Sequence, residues 1–425
     1  MFTNTFAPLV GGLERSVANA HEDLTTLGHL SRVVTPAFKG SEDSSGGVLR
    51  LPAITGVGEK EFSIALTLSN RLDHWLEALE PDVLHSHQPF LLGETAWRMA
   101  RRRRVPLVFT HHTLYERYAH YLLVGNERMR RLVISLTTHY ANRCDLVIAP
   151  TESIRRLLLE RGVTVPVEVA PSGIDLELCA SGVRERGRAQ LGLGAEDEVI
   201  GNLGRLSQEK NLGFLVEAAI RVVKRRSRAK CLLVGDGDRL AWAQARFAEE
   251  ELAERLVTPG MMHGQAMADA YAAMDVFLFA SHTDTQGLVL GEAMAAGLPV
   301  IALDAPGSRD CVIDGVSGWL LPANANEDAF AGRIQDMLDM SDRRERWAAP
   351  ARRAADRFGR EACVRRLLEI YETASANFRS EATADDDLWG QMAERLDVDW
   401  APFLEKVIVA FRSLSGRSDD ENTPS

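Results

Sequence analysis

The chain has 425 residues, with 49 Lys and Arg against 60 Asp and Glu, a formal charge of −11, 45% apolar and 26% charged residues. That length suffices for two α/β domains with separate cores, and an acidic chain without aromatic–basic interleaving speaks against nucleic-acid binding. No apolar run approaches bilayer length, no signal peptide is visible, and the five cysteines form no CxxC, which together read as a cytoplasmic protein with reduced thiols.

Taken in chain order, the apolar start Phe2-Thr3-Asn4-Thr5 is a very short first strand. Gly11-Gly12 follows it and opens a helix whose Leu13, Val17, Ala20, Leu24 and Leu27 share one face. Glycines in such a turn let backbone approach a ligand, with the helix N-terminus aimed at phosphate. Val33-Val34, Val83-Leu84-His85, 107–110 and 146–149 read as buried strands separated by crossovers, hence a parallel sheet. Around 172–191 the pattern loosens into Gly, Ser and charge, a linker by composition. It then restarts, with strands at Val199-Ile200, 231–234, 276–279 and 299–302. Two doubly wound units in succession place a cleft between domains. A last helix over 358–377 carries Cys363, Leu367, Ile370 and Tyr371 at helical spacing. The expected division is 1–178 with a crossover helix 358–378, then 179–357, then an acidic, partly helical and disordered tail 379–425. Asp397-Val398-Asp399 lies in that tail and is not read as a metal site.

Residues 281–300, SHTDTQGLVLGEAMAAGLPV, carry the most chemistry. Gly287, Leu288 and Val289 open a helix, so their N–H groups would meet a phosphate. Asp284 and Glu292, eight apart, would accept hydrogen bonds from hydroxyls. Donors for phosphate flanked by acceptors for hydroxyls describe a nucleotide-sugar pocket. Arg205 and Lys210 flank the turn after the strand at 199–200, and two cations at one strand end suit a diphosphate. Gly235 and Asp236 follow the next strand, either as a wall of that pocket or as a turn. His111 and His112 end the strand at 107–110, and His85 and His87 the one before it.

These motifs resemble the retaining glycosyltransferases of family 4. TDTQGLVLGEAMAAGLPV is similar to the family's E-x7-E segment, with Asp284 for Glu, Gln286 for Phe and Gly291 for Leu. Gly204 to Asn211, GRLSQEKN, is a close match to the family's GRLxxEKN. The resemblance implies a GT-B fold, two Rossmann-like domains facing a central cleft, and a required cofactor or metal is not part of it. It assigns Arg205 and Lys210 to the leaving diphosphate, Glu292 to ribose hydroxyls, Asp284 to a sugar hydroxyl and His112 to the transferred sugar. Gly11, Gly12, Gly235 and Asp236 would border the donor. A UDP-linked sugar is favoured over a GDP-linked one, and retention is expected by a same-face displacement. The short first strand departs from the family, through either a mis-assigned start or a weakened sheet.

HHTLYERYAHY, 111–121, is similar to the HTxYExYxHY segment of bacterial diacylglycerol glucosyltransferases. That likeness implies a hexose transferred to a lipid acceptor such as diacylglycerol, with His87, Tyr115 and Tyr118 on the acceptor side. Residues 98–131 hold nine Arg against Glu116 and Glu127. Arg101, Arg102, Arg103, Arg104, Arg128, Arg130 and Arg131 form either a patch for anionic lipid at the inner face of the plasma membrane or a solvated helix face. A transferase for a soluble or cell-surface oligosaccharide and an inactive nucleotide-sugar binder are the competing readings.

Overall fold

The computed structural model describes residues 1–9, 11–38, 41, 47–55, 63–65, 72, 75, 79–117, 127–340 and 342–378. Tyr118, 121–126 and the 379–425 tail lie outside the described residues. The described residues divide into two compact units, one within 1–150, 154–170 and 364–378, the other within 151–153 and 171–363.

In the first unit, β5 (Leu84–Ser86), β6 (Leu107–Thr110), β7 (Leu146–Ala149) and β8 (Val167–Val169) form a parallel sheet in that order. β1 (Val33–Pro36) and β2 (Val48–Leu51) pair in parallel, and β3 (Ala53–Thr55) and β4 (Ser63–Ala65) form an antiparallel hairpin. The start of the chain joins two of these sheets. Phe2 bridges Val34 on one side and Ser86 on the other, both in parallel. Phe2 N donates to His85 O at 2.7 Å, His87 N to Phe2 O at 3.0 Å and Val34 N to Met1 O at 2.8 Å. Phe2 is 1% exposed and Thr3 N donates to Val34 O at 3.0 Å, so Met1, Phe2 and Thr3 do the hydrogen bonding of a central strand. α1 (Gly12–Thr26) buries Val17 and Leu24 as its periodicity requires. Leu27 falls beyond the last turn and is 45% exposed, which removes it from the expected apolar face.

α2 (Leu92–Arg103), α3 (Glu127–Arg143) and α4 (Glu152–Glu160) are further α-helices of this unit. The final helix begins at Arg360 and ends at Asn377. Its Val364, Leu367, Ile370 and Ala374 pack with Leu24, Val108, Leu146 and Ile148 of the first unit. Burying each such aliphatic side chain contributes about 1.5–3 kcal/mol.

The second unit opens not with a linker but with two helices, α5 (Leu176–Ala180) and α6 (Arg184–Gln190). Composition misleads here because the glycines are packing devices and the charges are paired. A Cβ on Gly182 would fall 2.1 Å from Ala268 O, and one on Gly187 2.1 Å from Asp269 O. Asp269, 1% exposed, accepts from Val183 N at 2.8 Å and from Arg186 Nη2 at 2.7 Å. Six parallel strands follow: β9 (Glu198–Leu203), β10 (Ala229–Val234), β11 (Leu256–Gly260), β12 (Val276–Phe279), β13 (Val300–Leu303) and β14 (Gly318–Leu321). Their order is β11-β10-β9-β12-β13-β14. Alternate residues serve two cores. Val199, Leu232, Val234, Phe277 and Val300 enter one, and Ile200, Cys231, Leu233, Leu278 and Ile301 the other. This period-2 partition is why the strands are continuously apolar.

Candidate functional site

The strand order reverses between β9 and β12, and ligands of open α/β sheets bind beyond the carboxyl ends of strands at such a switch point. The loops leaving those two strands are laced together there. Asn211 Nδ2 donates to Ala280 O at 3.1 Å, and Thr283 Oγ1 to Glu209 O at 3.1 Å. Lys210 Nζ reaches Asp284 Oδ1 at 2.7 Å. The pair is half-buried, with side chains 28% and 19% exposed. Asp284 Oδ2 is shielded and has no hydrogen-bond partner, so an acceptor stands ready beside a cation. Arg205 Nη1 lies 3.5 Å from Oε1 of Glu209, whose side chain is 1% exposed. Arg205, Lys210 and Asp284, from 5 to 79 residues apart in sequence, thus converge on one sheet edge.

The third strand end completes the floor. Gly235 has φ 136°, and a Cβ there would fall 1.9 Å from Gly204 O. Leu206 N donates to Asp236 O at 2.9 Å, and Asp236 Oδ1 accepts from Gly237 N at 2.7 Å. The glycines therefore serve the close approach of two loops, and Asp236 is held by its own turn. α7 (Gly264–Ala273) precedes β12, and α8 (Leu288–Ala295) follows it from an N-cap at Gly287 with φ 69°. Leu290 N donates to Gly287 O at 2.9 Å, while the N–H groups of Leu288 and Val289 at the start of α8 have no intrahelical acceptor by construction. Gly11 caps α1 in extended conformation, with Gly12 as its first residue.

The departures from the family segment have physical reasons. The Gln286 side chain clamps the backbone of Ser172, accepting from its N at 2.7 Å and donating to its O at 2.9 Å. A Cβ at Gly291 would lie 2.9 Å from Ile174 Cδ1, so no larger residue fits without a shift. Gly307 backs onto Asp284, where a Cβ would fall 2.9 Å from that of Asp284. Glu292 is wholly buried, and its Oε2 accepts from Tyr271 Oη at 2.8 Å. Its carboxylate is therefore not presented to solvent. Tyr271 escaped sequence reasoning because it sits in an alanine-rich helix with no motif around it.

The first unit gathers histidines at the ends of β5 and β6. His87 Nδ1 and His112 Nε2 are 2.9 Å apart. His85 is held at both nitrogens, by Thr110 Oγ1 and by Tyr371 Oη, each at 2.7 Å. Burial pushes all four of His85, His87, His111 and His112 below the ordinary histidine range, so they are neutral near pH 7. Tyr115 is buried against Phe90 and His111, and burial raises its hydroxyl well above the usual range.

The basic patch separates into two kinds of residue. Arg101 is spent on the fold: its Nη2 donates to Arg143 O at 2.9 Å and lies 3.5 Å from Asp145. Arg103 is half-buried, whereas Arg102, Arg104, Arg128 and Arg131 are exposed. Arg130 makes two 2.8 Å hydrogen bonds to Glu127. The four consecutive arginines are therefore not one surface. No described helix is long and apolar enough to cross a membrane.

Residues 10–178 match Glycosyltransferase Family 4, and residues 183–354 match Glycosyl transferases group 1. An α-monoglucosyldiacylglycerol synthase of Acholeplasma laidlawii is 30% identical over 71% of this chain and 79% of its own. The chain belongs to glycosyltransferase family 4. The glycosyltransferase is also similar to an α-monoglucosyldiacylglycerol synthase of Streptococcus pneumoniae, 28% identical over 91% of this chain and 88% of that one. A GDP-mannose-dependent α-mannosyltransferase of Mycobacterium tuberculosis is 29% identical over 82% of this chain and 89% of its own. Among solved structures, sucrose-phosphate synthase of Thermosynechococcus elongatus aligns over 87% of this chain and 96% of its own, with TM-score 0.72 and 22% identity. Anabaena HepE in complex with UDP-glucose aligns over 88% and 98%, with TM-score 0.69 and 19% identity. The enzyme thus has the GT-B fold, with a parallel sheet in each unit.

Proposed function

We propose that this glycosyltransferase moves a hexose from a UDP-linked sugar to a diacylglycerol-type lipid, with retention at the anomeric carbon. The observation that carries the donor side is the Lys210–Asp284 pair at the switch point. A bound diphosphate would draw Lys210 and Arg205 to itself and free the Asp284 carboxylate for a sugar hydroxyl. Negative charge grows on the leaving phosphate as the glycosidic bond breaks, and fixed cations there stabilise the transition state. The N–H groups at Gly287, Leu288 and Val289 add to that cradle, and Gly11 and Gly12 offer a second helix start. Glu292 takes the ribose hydroxyls, exchanging its bond with Tyr271 to do so. His112 acts on the transferred sugar, and Tyr115 and His87 belong to the acceptor side.

The lipid acceptor is supported by two relatives named as monoglucosyldiacylglycerol synthases and by the HHTLYER segment. UDP is supported by the HepE complex. A second reading, GDP-mannose as donor, is favoured by the mannosyltransferase relative. The test is turnover of UDP-glucose and of GDP-mannose with dioleoylglycerol in mixed micelles, followed by product stereochemistry. An α-glucosyl lipid is expected; transfer from GDP-mannose alone would replace the donor assignment. Lys210→Met should lower kcat/KM about a hundredfold, the cost of losing one preorganised group at the developing charge.

A further inference from the structure

His87 differs from its neighbours in how its two nitrogens are used. Nδ1 lies 2.9 Å from His112 Nε2. Nε2 is shielded from solvent and has no hydrogen-bond partner, and the residue is 2% exposed. We propose that His87 is a positioning residue for His112: its Nδ1–H donates to His112 Nε2 and holds His112 as the neutral tautomer protonated on Nδ1. The proposal rests on the reading that His112 acts on the transferred sugar.

A neutral imidazole has one N–H and one bare lone pair. A proton on His87 Nε2 would be a buried N–H without an acceptor, and such orphaned donors are rare in folded proteins. A proton on Nδ1 instead has an acceptor at hydrogen-bond distance and leaves only a lone pair unpaired. Double protonation would make both nitrogens donors, again orphaning Nε2. Burial, with His85 and His112 beside it, also disfavours that charge. His112 Nε2 must then be the acceptor, so its single proton resides on Nδ1 and that nitrogen is a donor. Nδ1 of His112 is therefore a proton donor and cannot serve as a base.

The surroundings hold His87 still. Its backbone N donates to Phe2 O at 3.0 Å. Its ring lies 4.0 Å from that of His85, and the His112 ring is stacked at 5.2 Å with an interplanar angle of 24°. His85 is fixed at both nitrogens by Thr110 and Tyr371. A second nitrogen that is locked in this way sets the tautomer of the working histidine, as an orienting partner does in hydrolytic triads.

The direct test is long-range 1H–15N correlation spectroscopy on the full chain labelled with 15N-histidine, assigned with His87→Phe and His112→Gln. Wild type should show the His112 proton on Nδ1; a proton on Nε2 overturns the proposal without any substrate. The functional test uses UDP-glucose or GDP-mannose with dioleoylglycerol. His87→Phe should lower kcat at least about tenfold with donor KM within about twofold, while His87→Asn, which keeps an amide donor where Nδ1 was, should stay within about threefold of wild type. In a His112→Gln background, His87→Phe should cause no further loss, because residues acting as a unit are not additive. Full additivity in that background, or a fully active His87→Phe, overturns the proposal. If His87→Phe does not fold, the wild-type spectrum and His87→Asn decide it. Wild-type turnover by His112→Gln would sink the reading of His112 while the tautomer measurement still judges the His87–His112 bond.

Discussion

His111 and His112 are neighbours in sequence and opposites in setting. His112 is partly exposed and bonded to His87, whereas His111 is 1% exposed and neither ring nitrogen has a hydrogen-bond partner. Its contacts are the edges of Phe109 and Tyr115, at ring distances of 5.9 and 6.1 Å. Burial, aided by Arg161, pushes its pKa down to about 3. The unfolded chain takes up that proton near pH 6.5 and the folded one only near 3, so stability is full above pH 6.5 and falls as the pH drops. The slope is about 1.4 kcal/mol per pH unit for each such group. His111→Phe should therefore raise stability by about 1 kcal/mol at pH 7, by removing two desolvated polar atoms, and should flatten the loss between pH 6.5 and 4. Urea denaturation across that range checks both. The motif made the histidine pair visible; the rings beside His111 belong to its own segment, Phe109 and Tyr115, whereas the charge of Arg161 reaches it from fifty residues on.

At the scale of elements, the loops after β9, β10 and β12 form the donor edge because each strand ends in residues that allow close approach. Gly235 combines a left-handed φ with a carbonyl 1.9 Å from its missing Cβ. Gly235→Ala should cost about 2 kcal/mol or more, since strain and overlap add. It should also weaken UDP binding, measurable by calorimetry alongside the melting temperature, because Arg205 and Lys210 ride on the displaced loop. The apolar strands were legible from their runs of Val, Leu, Ile and Phe, since a strand buried on both faces has nowhere to put a polar residue. Residues 171–190 were not legible as helices. Gly182 and Gly187 look like linker residues until the chain they touch is known, and Arg186 looks solvated until Asp269 is placed beside it. Phe2 likewise reads as too short a strand, yet it bridges two sheets because neighbours on both sides supply its partners.

For the whole molecule, a net charge of −11 opposes an anionic surface, so membrane contact must come from a local basic region. Arg101 belongs to the fold, whereas Arg102, Arg104, Arg128 and Arg131 are among the exposed arginines of this region. Changing these four to Ser should weaken binding to phosphatidylglycerol vesicles by about 1 kcal/mol per cation without lowering the melting temperature. Raised salt should weaken wild-type binding in the same direction. Unchanged sedimentation with vesicles would remove these arginines from the acceptor reading.

The sequence alone determined the family, the α/β class and the donor motifs, because each is written in local spacing: glycines at turns, cations after a strand, continuous apolar runs. Only the tertiary structure decided which side chains are spent and which are available. Lys210 meets Asp284, Glu292 meets Tyr271, Arg101 meets Asp145 and His87 meets His112. These are pairs between 21 and 74 residues apart. Partners at that range are chosen by strand order and helix packing, and no local pattern of residues encodes them.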